Sequence, residues 1–150
     1  MLDLKPLFTA RISLGPAQEL GEGPRGRRRI IPITGGTLSG ARVSGRILPG
    51  GADWQLIRGD GVAELEARYT LETADGALIY VRNHGYRHGP REVLARLAAG
   101  EEVAPAEYYM RTTPRFETGD ERYAWLNRAV CVASGARHAA AVTLEVYEVQ

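Results

Sequence analysis

Acids, arginines, a phenol and an amide recur in stretches of this chain that alternate apolar and polar residues. Asp53 and Glu66 are carboxylates suited to general base work, and burial would raise their proton affinity. Tyr109 can donate a hydrogen bond to a developing oxyanion. Arg68 and Arg111 carry guanidinium forks that suit a carboxylate or a carbonyl oxygen. Trp54, Asn83, Glu117, Trp125 and Asn127 lie in or beside the same stretches and add walls and further polar contacts. Asp53 and Trp54 follow the Gly50-Gly51 turn, at a strand mouth where ligand-facing residues are common. Converging on one cavity, these side chains would bind a small organic acid or phenol and move a proton on it. Lyase or isomerase chemistry of that kind needs no cofactor, and no cofactor motif is found.

Other motifs lack the context their chemistry requires. Gly21–Gly26 reads G-x-G-x-x-G, but an arginine run and a strand follow it instead of a helix, so no nucleotide site is expected. Arg25–Arg29 is a basic cluster without aromatic stacking platforms, so no nucleic-acid partner is expected. His84 and His88 are placed on a loop beside Gly85 and Gly89 and have no third ligand at motif spacing, so no metal is expected. Cys131 is the single cysteine and stands in an apolar run, which reads as a buried structural thiol.

The elements that must position these residues are mostly strands. The chain has 150 residues, 19 basic and 18 acidic, for a formal net charge of +1, with 44% hydrophobic and 25% charged residues. This is a globular composition with no general field for nucleic acid or anionic membrane. Ala63, Leu65, Ala67, Tyr69 and Leu71 fall on one face of a period-two pattern, and Glu64, Glu66, Arg68, Thr70 and Glu72 on the other. Asp75-Gly76 turns that strand into a second over 77–83. Further strands are predicted over 4–14, 28–38 (with Pro32 marking an edge, a bulge or a start), 41–48, 53–58, 107–113, 127–134 and 140–149. A helix is predicted over 91–99, with Pro90 at its first position and Gly100 as its stop, and a short turn over 120–125. Residues 15–26 are predicted to be a surface loop. No repeat or linker divides the chain, so residues 1–150 read as one all-β domain, an antiparallel barrel or sandwich with one short helical insert. The N-terminus lacks a signal-peptide stretch and no run is long enough for a membrane span, so a soluble cytoplasmic protein with no membrane partner is expected.

Several segments taken together point to a family. They are Arg27–Gly36 (RRRIIPITGG), Pro49–Gln55 (PGGADWQ), Asp60–Tyr69 (DGVAELEARY), Asp75-Gly76, Glu107–Thr118 (EYYMRTTPRFET) and Tyr123–Asn127 (YAWLN). In order and spacing this string resembles the UPF0311 family, whose domain is also called DUF3237, over almost the whole chain. The resemblance implies a lipocalin-like or calycin-like β-barrel and no particular substrate. Glu66 stands where the family resemblance implies aspartate, and Met110 where it implies an aromatic residue.

Two orientations of the alternation remain open. If the polar parity faces a lumen, the residues named above converge on a ligand; if it faces water, Ala63, Leu65 and Tyr69 fill the barrel instead. Glu64 and Glu72 are read as solvent-facing, whereas Arg68 and Arg111 are open to either role. Trp54 and Trp125 are read as core or pocket wall. Three functions follow: an enzyme using Asp53 or Glu66, Tyr109 and an arginine; a noncatalytic carrier or sensor of a small aromatic or hydrophobic ligand; or a packed structural or interaction module. An exposed strand edge leaves a homodimer or higher homo-oligomer open in each.

Overall fold

The computed structural model describes residues 1–150. Its strands are β1 (Leu4–Leu14), β2 (Gln18–Gly23), β3 (Gly26–Ser39), β4 (Gly45–Ile47), β5 (Gly51–Ile57), β6 (Ala63–Thr73), β7 (Leu78–His88), β8 (Tyr109–Glu117), β9 (Cys131–Arg137) and β10 (Ala141–Val149). Helix α1 spans Arg91–Ala98, and short 3-10 helices span Pro105–Glu107 and Glu121–Arg128. All pairings are antiparallel: β1 pairs β10, the order runs on through β9, β8, β7 and β6, and β6 pairs both β4 and β5. Those two strands pair β3, which returns to β1, so the sheet closes as an eight-strand barrel. β2 continues the line of β1 along β3, and β5 lies in line with β4.

Alternation puts one parity of each strand inside. On β6 the inward row is Ala63, Leu65, Ala67, Tyr69 and Leu71, and on β7 it is Ile79, Val81, Asn83, Gly85 and Arg87. Ile12, Ile33, Thr112, Phe116, Ala133 and Leu144 face them from the other strands. The interior has two apolar zones. The larger contains Phe8, Leu71, Ile79, Val81, Phe116 and Val146. The smaller is built where α1 closes the barrel, with Val93 and Leu97 packing on Leu65, Val103, Tyr108 and Met110. Each of those two helix side chains contributes about 1.5–3 kcal/mol by burial.

The strand expectations hold in outline. The strands predicted over 77–83 and 107–113 run on to His88 and Glu117. The one predicted over 127–134 starts at Cys131, because Asn127 and Arg128 end a 3-10 helix. The predicted loop over 15–26 contains β2, whose residues are all exposed, so no apolar alternation marked it and backbone pairing to β3 alone defines it. The strand predicted over 41–48 shrinks to Gly45–Ile47, because Val43 enters the core from irregular backbone after the bend at 41–42 and not from a ladder position. His84 and His88 lie on β7, not on a loop. Pro32 sits inside β3 at the gap between the Leu14–Ile33 and Gln18–Ile30 pairs, where its missing N–H costs no bond to β1 or β2. Pro90 proves to be the N-cap of α1, one position before its predicted place.

Gly85 stands in the inward row of β7 opposite Thr112 of β8, and a Cβ there would lie 2.1 Å from the Arg111 carbonyl oxygen. Gly85→Ala is therefore expected to destabilise the barrel by about 3 kcal/mol, read by chemical denaturation. A loss below ~0.5 kcal/mol would show that the strands part easily at this point.

Candidate functional site

Between the two apolar zones lies a cavity of about 50 Å³, more than a single water needs. Its wall is mostly apolar, from Ile12, Leu14, Ile31, Ile33, Leu65, Ala67, Met110, Val142 and Leu144. Into this wall the inward rows insert Asp53 and Gln55 from β5, Tyr69 from β6, Asn83 and Arg87 from β7, Thr112 from β8 and Arg137 from β9.

Asp53 is tied to the sheet. Its Oδ1 accepts the Glu66 backbone N–H at 2.8 Å and its Oδ2 accepts Gln55 Nε2 at 3.2 Å. The β5–β6 pairing lapses here, between the Asp53–Ala67 and Leu56–Glu64 pairs, so the carboxylate takes a backbone donor in the break. The Trp54 carbonyl in the same break accepts Arg28 Nη1 at 2.8 Å. Gln55 is 1% exposed and its Oε1 accepts Arg29 Nη1 at 3.1 Å, while Arg29 Nε pairs with Glu19 at 2.8 Å. A polar chain thus runs from Glu19 on the surface through Arg29 and Gln55 to Asp53.

The electrostatics of this wall are unusual for a barrel interior. Burial pushes the Asp53 carboxyl above its ordinary value, and this outweighs its two hydrogen bonds and the nearby Arg87 and Arg137 charges. Arg87 is 6% exposed, and burial, with the Arg137 charge beside it, pushes its guanidinium down to about 10. Arg137 is shifted the same way, again mainly by burial. Neither guanidinium donates a hydrogen bond or lies in an ion pair within the chain. Only the Arg137 backbone is anchored, its N–H donating to the Tyr108 hydroxyl at 2.8 Å. Asn83 Oδ1 and Thr112 Oγ1 are buried without a hydrogen-bond partner. Burial also raises the Tyr69 phenol, which stays protonated.

Of the residues expected to form the site, the lumen receives Asp53 and Asn83. The others do not join them. Glu66 and Arg68 are exposed on the outer face of β6 and pair with each other at 3.0 Å. Tyr109 lies outside, stacked on His88 at 4.6 Å between ring centroids, with the Arg111 guanidinium 5.4 Å from its ring centre. Trp54 and Glu117 also face outward. Trp125 packs against the larger apolar zone beneath Arg42, and Asn127 clamps the Thr118 backbone with bonds of 2.8 and 2.9 Å. The cause is common to the strand residues: each has the parity opposite to the buried row of its own strand. Arg68, Arg82 and Arg115 consequently stand opposite one another across three strands in water.

Gln55, Arg87, Thr112 and Arg137 escaped the sequence reading. Their signal was the parity of the apolar residues, followed to the ends of longer strands: Arg87 continues Ile79, Val81, Asn83, and Arg137 continues Cys131, Ala133, Gly135. Cys131 is buried as expected, and burial pushes its thiol up to about 11. No group of three His, Cys, Asp or Glu side chains is assembled that could hold a metal.

The family model for a protein of unknown function, DUF3237, matches residues 2–149. The chain belongs to the DUF3237 family. A UPF0311 protein of Bradyrhizobium diazoefficiens is 51% identical to this DUF3237 chain over 148 residues, covering 99% of it and 97% of the relative. The crystal structure of a Rhodopseudomonas palustris protein of unknown function superposes with a TM-score of 0.94 at 47% identity, covering 100% of this chain and 98% of that one. A more distant relative is a hydroalkoxylation enzyme of Penicillium herquei, 27% identical over 125 residues, 83% of this chain and 68% of that protein. The DUF3237 barrel is thus shared with bacterial relatives at high identity.

Proposed function

We propose that this barrel binds a small organic molecule in its lumen and moves a proton on it, as a cofactor-independent lyase or isomerase. One observation carries the reading: a carboxyl that burial holds toward its protonated form, Asp53, shares a cavity with two guanidiniums that have no partner in the chain. A carboxyl raised in this way keeps its proton to higher pH than a free one, which suits it to give and take a proton on a bound molecule. Tyr69, protonated and lining the same cavity, takes the place expected for Tyr109. Arg87 and Arg137 take the place expected for Arg68 and Arg111.

The name of the Penicillium herquei relative supports proton transfer as the chemistry. Hydroalkoxylation adds an O–H bond across a C=C bond. In an addition of this type, Asp53 gives its proton to one alkene carbon and the substrate's hydroxyl oxygen bonds to the other. The hydroxyl proton then returns to Asp53, so no oxidant, reductant or cofactor is consumed. Within one molecule the step is an isomerisation.

The test screens acids, phenols and lactones, including unsaturated hydroxy compounds, by thermal shift, then incubates each ligand with the protein in D2O. The expected result is a ligand that gains solvent deuterium on carbon. Ligands that bind and never exchange would leave the carrier reading, which the mostly apolar wall favours.

A further inference from the structure

We infer that the luminal ligand is a compact hydroxylated carboxylate, its anionic end held by Arg87 and Arg137 and its hydroxyl turned to Asn83 and Thr112. The inference rests on the lumen being the binding site and adds the class of molecule that fits it.

Charge is the first argument. Three charged side chains line the cavity, Asp53, Arg87 and Arg137, so the lumen holds a net positive charge even with Asp53 ionised. Arg29, at the edge of the site, is already matched by Glu19 at 2.8 Å. Buried charges persist when they are paired, and here the chain supplies one carboxylate for two guanidiniums. Arg87, 6% exposed, has no hydrogen bond to carbonyl, hydroxyl or carboxylate anywhere in the protein. A planar fork left free in a closed apolar wall matches a planar carboxylate, which can accept two parallel N–H bonds from it.

Unused neutral groups are the second argument. Asn83 is 5% exposed and Thr112 is 4% exposed, and each has a buried oxygen with no donor. Both oxygens are covered by the wall, and a ligand hydroxyl supplies the missing donor once those side chains turn toward it. These two residues lie on neighbouring strands, with Asn83 opposite Pro114 and Thr112 opposite Gly85, so one small group can reach both. The remaining wall, Ile33, Met110, Val142 and Leu144 among it, fits a short apolar body. The cavity's volume of about 50 Å³ excludes long chains and polycyclic acids without rearrangement.

The test measures dissociation constants of three small probes at pH 7 by calorimetry: glycolate, acetate and glycolamide. The proteins are the native chain, Arg87→Met and Asp53→Asn. In the native chain the hydroxy acid should bind about tenfold more tightly than its neutral amide and about fivefold more tightly than acetate. Arg87→Met should weaken the hydroxy acid about tenfold and leave the amide unchanged. Asp53→Asn removes the like charge that Asp53 carries when ionised, and should tighten the hydroxy acid, more at pH 8 than at pH 5. That opposite sign cannot arise from general damage to the fold.

Equal affinity for acid and amide, an Arg87→Met effect equal on both, or no binding of any probe at millimolar concentration would each overturn the inference. Arg137→Met provides the same comparison if Arg87→Met does not fold. The selectivities above without any proton exchange would overturn the catalytic reading alone. Exchange on neutral ligands without carboxylate preference would overturn this inference alone.

Discussion

Asp53→Asn should lower turnover of any luminal substrate by about 10²–10⁴-fold, the usual share of a positioned acid–base group. Asparagine is nearly isosteric and its Oδ1 can still accept the Glu66 N–H, so the break between β5 and β6 stays closed. It cannot take or give the proton, and affinity for an anionic ligand should rise while the rate falls. Steady-state and single-turnover measurements on one substrate separate these effects. A variant that keeps more than a tenth of the native rate would remove Asp53 from the chemistry.

The same carboxyl should be visible in stability. Its folded value lies above the 3.8 of the unfolded chain, so the folded state holds the proton more tightly. Below the unfolded value Asp53 is neutral in both states and contributes nothing. As pH rises through the folded value it becomes an ionised group in a costly place. The native chain should therefore lose stability relative to Asp53→Asn across that window, as measured by urea unfolding at stepped pH. A flat difference would mean that water reaches Asp53 freely.

Arg87→Met should raise the unfolding free energy by about 1–3 kcal/mol while weakening acid binding. Methionine has similar length, needs no hydrogen bond and suits an irregular apolar gap. The sign follows from the local charges: with Arg87 gone, Asp53 and Arg137 face each other one to one. Removing a partner from a matched pair would do the reverse. The guanidinium's fall from 12.5 to about 10 corresponds to about 3 kcal/mol of unfavourable placement. A destabilisation of more than ~1 kcal/mol near neutral pH would mean that Arg87 has a structural partner, such as ordered water. A stabilising loss of a buried charge is what a residue retained for ligand binding predicts.

Much of the fold was legible because a half-buried strand writes its periodicity into the sequence. The run from Ala63 to Thr73 alternates without interruption, and Asp75-Gly76 marks the hairpin that follows. β2 carried no such mark, since nothing on it is buried. Asp53 was found because it follows a Gly-Gly turn at a strand mouth; that β5 turns it to the lumen is a fact of the tertiary structure. Glu66, Tyr109 and Arg111 were drawn toward the site by residue type, and their strands turn them to water.

Most of the strands, the turns and the helix that closes one end follow from local chemistry, which the amino-acid order by itself determines, and family membership follows from the likeness of whole segments. Alternation is symmetric: it separates two faces and does not say which encloses the lumen when both contain polar groups. That choice belongs to closure, which places the larger apolar set of every strand inside because burying it releases the most water. Closure also brings Arg87 of β7 and Arg137 of β9 to one cavity with Asp53 of β5, across 84 residues of chain (53 to 137). No spacing between those positions records their meeting. The pairing register of the barrel alone decides it.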